Sequence, residues 1–405
     1  MRRHDGLLSR IRGNLPGMAW PAVLTGQLAA LAALARQLDD TQWLPAAEIR
    51  VRQHRQLVRL ATHAAAYSHA FAARLREAGL TPGALATPEG LARLPVLGRR
   101  EIQGAGEDFY CKALPAGHEP IRVTFTSGST GEPVKTRRTA VNQLLWRAMS
   151  LRSHDWCGRD LARRTAAIRA RQPAPQVQPN WGPPIGLLFE TGPLLTIPSS
   201  TDIGEQARLL AGFRPETLII YPNNLAALCR HSRRHGIEIA GLSRILTMGE
   251  TLPPGLREEV AAWCGARLFD SYSSEELGHI ALECPESGLY HVMAETVLVE
   301  VLDAAHRPCG PGETGRLVIT DLCNFASPLV RYDIADYAEV ADPCPCGRGL
   351  PALKRILGRA RNLVRLPDGR RHWPYLALHR YREVAPVVQH QFVQHAPDLI
   401  EMRLV

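Results

Sequence analysis

Thr126-Ser127-Gly128-Ser129-Thr130-Gly131-Glu132-Pro133-Val134-Lys135 is a run of small hydroxyl residues and glycines closed by a lysine. Such a run presents backbone N–H groups and hydroxyls around a space the size of an anion, and Gly128 and Gly131 let the backbone approach an oxygen closely. The preceding Ile121-Arg122-Val123-Thr124-Phe125 alternates and is rich in β-formers, so the loop is predicted to leave a strand. A Walker loop needs Gly, four residues, then Gly-Lys-Ser/Thr, and a dinucleotide fold needs Gly-x-Gly-x-x-Gly; neither spacing is present. Clusters of Ser, Thr and Gly are most often plain turns, so the phosphate reading depends on the rest of the chain.

Three further segments occur in order. Asp270-Ser271-Tyr272-Ser273-Ser274-Glu275-Glu276-Leu277-Gly278-His279 comes after an apolar stretch; Leu329-Val330-Arg331-Tyr332-Asp333-Ile334-Ala335-Asp336 lies further on; Gly358-Arg359 closes Lys354-Arg355-Ile356-Leu357. This order resembles the adenylate-forming superfamily of acyl-CoA ligases, and within it the phenylacetate-CoA ligase-like branch. The resemblance extends to Leu91–Glu101, to Gly249-Glu250-Thr251-Leu252 and to Gly288-Leu289-Tyr290-His291, and so spans most of the chain.

The resemblance implies an ATP-dependent ligase: a carboxylate attacks the α-phosphate, giving an acyl-adenylate and pyrophosphate, and a thiol, amine or hydroxyl then displaces AMP. Thr126, Ser127, Gly128, Ser129, Thr130 and Gly131 would hold the β- and γ-phosphates with fixed donors. Tyr272 and Glu276 fall on the aromatic and acidic positions of the superfamily motif, with Ser271 and Ser273 beside the nucleotide. Glu276 is then the magnesium ligand, since hard oxygen donors suit that ion; a solvated acidic helix start is the plain alternative. Ser273 and Glu275 depart from the motif and leave two adjacent carboxylates there. Asp336 aligns with the acid that accepts from two ribose hydroxyls. Gly249 and Glu250 align with the segment against adenine, and Arg359 with an arginine near the ribose. Arg331 and Asp333 could instead make a surface ion pair, worth little.

After the Gly-Arg hinge the superfamily carries a mobile lid with a catalytic lysine. This sequence has only Lys112, Lys135 and Lys354, all before the hinge. The expectation is a large domain over residues 1–357 and a truncated lid remnant over 358–405. Lys135, Arg365 or Arg371 would supply the missing positive charge.

Nine cysteines are scattered without a short secreted framework, which suits a reducing cytoplasm. Cys344 and Cys346 form a tight knuckle, and His279 with Cys284 a second pair. The four suit structural zinc; buried cysteines acting as small apolar groups are the alternative. The branch is similar in having such a pair.

The net charge of +9 favours anionic partners: ATP, a coenzyme or an acidic carrier protein. The arginine runs at 50–59 and 159–171 leave a phosphate-backbone binder as a rival, although no nucleic-acid motif accompanies them and a solvated basic face explains such runs more simply. No apolar run reaches a membrane span, and no signal peptide is evident, so a cytoplasmic enzyme is expected, with monomer or dimer left open.

Alternating strands and helices between 122 and 268 predict a parallel, layered α/β sheet. Thr296–Leu302 and Gly315–Thr320 predict a hairpin in a smaller β subdomain, and residues 20–80 predict helices packed on the body. Trp146, Trp181, Phe189 and Tyr221 are candidate walls of an apolar acyl pocket for an aryl carboxylate, or ordinary core. The acceptor is left among coenzyme A, a carrier protein and a small nucleophile. A degenerate ATP-binding protein of the same fold is the second reading.

Overall fold

The structure is a computed structural model that describes residues 7–18, 20–125, 133–359, 364–368, 371–372 and 390–404. Five helices open the chain: α1 (Gly26–Thr41), α2 (Ala46–Tyr67), α3 (His69–Glu77), α4 (Pro88–Ala92) and α5 (Arg99–Ala105). Each presents one apolar face. Leu57, Leu60, Ala61 and Ala64 of α2 bury themselves with Phe71 and Leu75 of α3 against Leu298, Leu322 and Val330, as a helix on the surface of a larger body must.

A two-stranded antiparallel ribbon follows, β1 (Arg122–Phe125) paired with β2 (Lys135–Arg138). Next come α6 (Ala140–Trp156), β3 (Thr165–Arg169), β4 (Gln176–Gln178), α7 (Ile185–Leu188), β5 (Leu194–Pro198), α8 (Ile203–Phe213), β6 (Thr217–Ile220), α9 (Pro222–His235), β7 (Arg244–Met248), α10 (Leu256–Cys264) and β8 (Arg267–Ser274). β5, β3, β6, β7 and β8 are mutually parallel. All four residues of β6 are buried, as expected of a strand covered on both faces.

Six antiparallel strands continue the same sheet: β9 (Gly278–Glu283), β10 (Tyr290–Val292), β11 (Val297–Leu302), β12 (Thr314–Asp321), β13 (Tyr332–Val340) and β14 (Ala352–Arg359). The whole runs β11-β12-β13-β14-β10-β9-β8-β7-β6-β3-β5-β4. The hairpin expected in a separate β subdomain is thus the outer edge of one twelve-stranded sheet. β15 (Val364–Arg365) pairs with β16 (Arg371–His372), and β17 (His390–Ala396) with β18 (Leu399–Leu404). Among the described residues no helix is long and apolar enough to cross a membrane.

α8, α9 and α10 cover one face of the parallel strands through Leu210, Leu225, Leu228 and Val260, and α6 lies on the other. Thr139 caps α6 reciprocally with Asn142. The carboxyl ends of β3, β6, β7 and β8 lie at one edge, where open α/β sheets receive ligands.

Candidate nucleotide and metal sites

The strand predicted before residues 126–131 is present as β1, which ends at Phe125, and β2 opens on Lys135. Thr126, Ser127, Gly128, Ser129, Thr130 and Gly131 lie outside the described residues. The base of the ribbon is anchored: the Arg137 N–H donates to Ser327 Oγ at 2.9 Å, and Arg138 donates to the Glu275 carbonyl at 3.3 Å. The acidic pair and the ribbon that carries the loop therefore share one neighbourhood.

Three of the expected ATP residues form one hydrogen-bonded group. Tyr272, on β8, donates its hydroxyl to Asp336 Oδ2 at 2.6 Å, and Arg359 Nε lies 3.1 Å from Asp336 Oδ1. Asp336 and Arg359 are direct partners in the β13–β14 register, so backbone pairing sets their side chains together. Burial first, then the Asp336 charge, hold the Tyr272 phenol well above its ordinary pKa, so it stays protonated as a donor.

The segment that carries Gly249 and Glu250 approaches Tyr221 on one side and β14, next to Arg359, on the other. Gly249 has φ +78° and lies 3.4 Å, at its absent Cβ, from the Tyr221 ring. Gly358 has φ +81°, and a Cβ there would meet Thr251 Oγ1 at 2.4 Å; only glycine lets β14 pass this close to the 249–252 segment. The Glu250 carboxylate accepts from the Asn223 N–H at 2.9 Å at the start of α9, a helix-capping contact. Ser271 Oγ donates to the Thr247 carbonyl at 3.3 Å, and Ser273 pairs with His279 across β8–β9.

Glu276 is only 4 % exposed, and its ion pair with Arg99 is a long one at 4.0 Å. Its carboxylate keeps acceptor capacity that a hard cation can use. Arg99, at the start of α5, is a site neighbour that the motif reading does not name; the Arg99-Arg100-Glu101 step after Leu94-Pro95 is the signal that points to it.

Lys135 is held elsewhere. Its ammonium pairs with Glu107 at 3.1 Å and lies 5.6 Å from the centre of the Tyr110 ring, whose hydroxyl donates to the Lys135 carbonyl. The backbone of Arg365 lies in β15, and its side chain is outside the described residues. Arg331 is a buried structural residue, paired with Glu300 at 3.0 Å and bonded to the Ala92 and Leu94 carbonyls. Asp333 pairs with Arg316 instead, so the surface pair envisaged between Arg331 and Asp333 does not form.

The thiol cluster differs from expectation in one ligand. Cys284, Cys344 and Cys346 come together with His291, all four buried and with donor atoms within 4.8 Å of one another. Cys284 and Cys344 sulfurs are 3.7 Å apart and His291 Nε2 is 3.3 Å from Cys346 Sγ. Thiolates ~2.3 Å from a tetrahedral zinc would stand about 3.8 Å apart. His291 Nδ1 faces the Leu350 carbonyl at 3.4 Å, the outer contact that orients a ligating imidazole. His279 is not in the group, because β9 is extended: five residues from Cys284 correspond to about 16 Å and to the opposite sheet face. It stacks on Trp146 and meets Ser150 at 3.1 Å.

Of the candidate acyl walls, Phe189 is core at 2 % exposure and Trp181 carries Arg159 over its ring at 3.8 Å. Tyr221 and Trp146 reach the edge of the site. Arg159, within the run read as a solvated face, is 4 % exposed.

No protein-family profile matches the chain. It is 27% identical over 340 residues to phenylacetate-coenzyme A ligase of Thermus thermophilus, covering 80% of this chain and 73% of that protein. It is 26% identical to the ligase of the same name from Pseudomonas putida, over 78% of this chain and 72% of that one. The fold matches 2-hydroxyisobutyryl-CoA ligase in its postadenylation state, with a TM-score of 0.69 and 21% identity over 89% of this chain and 79% of that one. It also matches anthranilate CoA ligase in complex with anthranoyl-AMP, with a TM-score of 0.53 and 16% identity over 73% and 58%.

Proposed function

We propose that this chain, a homologue of the phenylacetate-coenzyme A ligases with the fold of the acyl-CoA ligases, activates a carboxylic acid with ATP and passes the acyl group to a thiol, coenzyme A in the first instance. In the first step the substrate carboxylate oxygen bonds to the α-phosphorus, the bond to the bridging β-phosphate oxygen breaks, and pyrophosphate leaves. In the second, the thiolate bonds to the acyl carbon and AMP leaves.

The observation that carries this reading is the Tyr272–Asp336–Arg359 group beside Gly249 and Glu250. Asp336 would accept from the ribose hydroxyls while Tyr272 and Arg359 hold its carboxylate in place. Preorganised groups of this kind do not have to reorient when charge develops. Residues 126–131 would cradle the departing phosphates. Glu276 would hold a magnesium ion, which when bound neutralises phosphate charge. Cys284, His291, Cys344 and Cys346 would hold a zinc ion in a closed, structural site. The knuckle supports that role: Gly349, three residues past Cys346, takes Gln42 as a backbone partner at 3.0 Å, and Arg348 bonds the Gln42 side chain at 2.8 Å, joining the cluster to the α1–α2 turn.

The boundary at 357/358 marks, in this reading, the hinge between the nucleotide-binding body and the following segment. Pyrophosphate release measured with a panel of aryl and aliphatic acids tests the proposal. Acid-dependent release with thioester formation in the presence of coenzyme A supports it, and release by no acid counts against it.

A further inference from the structure

Ala167, Ile219, Leu246 and Phe269 form one apolar row across β3, β6, β7 and β8, closed over by Cys157 at the end of α6. Strand side chains alternate with a period of two, so the next row on that face is Arg169, Tyr221, Met248 and Ser271. This row lies at the carboxyl ends of the parallel strands, one residue from Gly249 and Tyr272. An apolar acid would be matched by an apolar row, and three of these four residues are polar.

Arg169 is the unusual member. It is half-buried, and its described hydrogen-bond contact is to the Met248 thioether at 3.1 Å, a weak acceptor for a guanidinium. It makes no ion pair with a carboxylate among the described residues. Two acids at this edge are otherwise engaged: Glu250 caps α9, and Asp270 accepts from Thr247 at 2.6 Å and Tyr290 at 2.9 Å. The neighbouring Tyr221 hydroxyl accepts from the Ala170 N–H at 3.3 Å and fixes the ring beside it. Burial disfavours the arginine charge here, and Tyr221 offsets it in part. A guanidinium with no carboxylate partner among the described residues lacks, among them, the group its planar fork fits best, a carboxylate taken bidentately.

We propose that the acyl substrate carries a second carboxylate, remote from the one that is activated, and that Arg169 receives it. This makes Arg169 the residue that selects dicarboxylic over monocarboxylic acids, with Tyr221 and Ser271 lining the path between the two ends. The proposal rests on the ligase reading above and adds the substrate class to it.

The test compares matched pairs, phenylacetate with 1,4-phenylenediacetate and butyrate with glutarate, by kcat/KM for pyrophosphate release and by calorimetric binding in the presence of AMP. The parent protein is expected to favour the diacid of a pair by about 30-fold or more, the worth of a charge-assisted bidentate contact. Arg169→Met should bring that ratio to within about 3-fold and Arg169→Lys, which keeps charge but loses the fork, should fall between. A general structural defect would lower both acids of a pair together and leave the ratio standing. Equal or better use of the monoacids by the parent, or a ratio that survives Arg169→Met, overturns the proposal. If no acid releases pyrophosphate the ligase reading fails, and calorimetry alone decides: Arg169-dependent binding of the diacid supports the carboxylate site, and its absence overturns it.

Discussion

The Tyr272 hydroxyl meets the Asp336 carboxylate at 2.6 Å although three strands separate β8 from β13 in the sheet order. In a flat sheet those strands would be about 19 Å apart. The sheet must therefore curl between β8 and β13 for the two side chains to meet. Sheet curvature, rather than proximity in sequence, brings Tyr272 and Asp336 together.

Removing Asp336 should weaken ATP use more than removing its donor. Asp336→Ala is expected to raise KM for ATP by ~30-fold or more, because hydrogen bonds to a charged group contribute about 1.5–3 kcal/mol. Tyr272→Phe should cost only ~5-fold, the worth of one ordinary hydrogen bond. Steady-state kinetics with varied ATP measure both; equal effects of the two changes would remove Asp336 from ribose binding.

Glu276→Gln keeps the size of the side chain and removes the charge a divalent cation needs. Pyrophosphate release should fall by about 100-fold or more, and the magnesium concentration giving half-maximal rate should rise. An unchanged magnesium dependence would reassign Glu276 to a structural role beside Arg99.

Metal analysis distinguishes the two histidines. His291→Ala, like Cys344→Ser, should lose bound zinc and become sensitive to chelators in a thermal melt, while His279→Ala should retain it. Zinc lost from the His279 variant and kept in the His291 variant would reverse the assignment.

The pH dependence of stability has two opposed contributions from one small cavity whose lining includes Arg138, His279 and Asp321. Burial raises Asp321 to about 6 from an ordinary 3.8. The folded state then keeps a proton the unfolded chain has released, so this contribution is present at low pH and lost as pH rises toward 6. Burial, and secondarily Arg138, lower His279 to about 4 from 6.5. Its contribution is present above pH 6.5 and lost as pH falls toward 4. Asp321→Asn should therefore gain on the parent protein between pH 4 and 6, and His279→Asn should gain as pH falls from 6.5. Each slope approaches ~1.4 kcal/mol per pH unit, and melting curves at pH 4.5 and 6.5 measure it. Variant curves that run parallel to the parent's would contradict both.

Much of the site is legible in the sequence because its residues sit in short colinear segments whose order does not depend on how the sheet bends. Asp336 and Arg359 can be named separately, but their pairing needs the β13–β14 register. The histidine that joins the thiol cluster is misread for a geometric reason. His279 and His291 flank Cys284 at similar distances in sequence, and only the β9–β10 pairing, with His291 opposite Leu282, turns the second toward the thiols. Arg159 and Arg169 are hidden inside an arginine run whose composition suggests a wet surface. Which members of such a run point inward is decided by strand alternation and the covering helix α6, neither of which the run itself reveals. The pairing of Lys135 with Glu107 is equally out of reach, since 28 residues separate them.

Isotope exchange between pyrophosphate and ATP tests the central claim most directly, because it reports formation and reversal of the acyl-adenylate without any acceptor. Exchange is expected only when a carboxylic acid is added, and is expected to be abolished in Asp336→Ala. Exchange absent with every acid, or undiminished in Asp336→Ala, would contradict it.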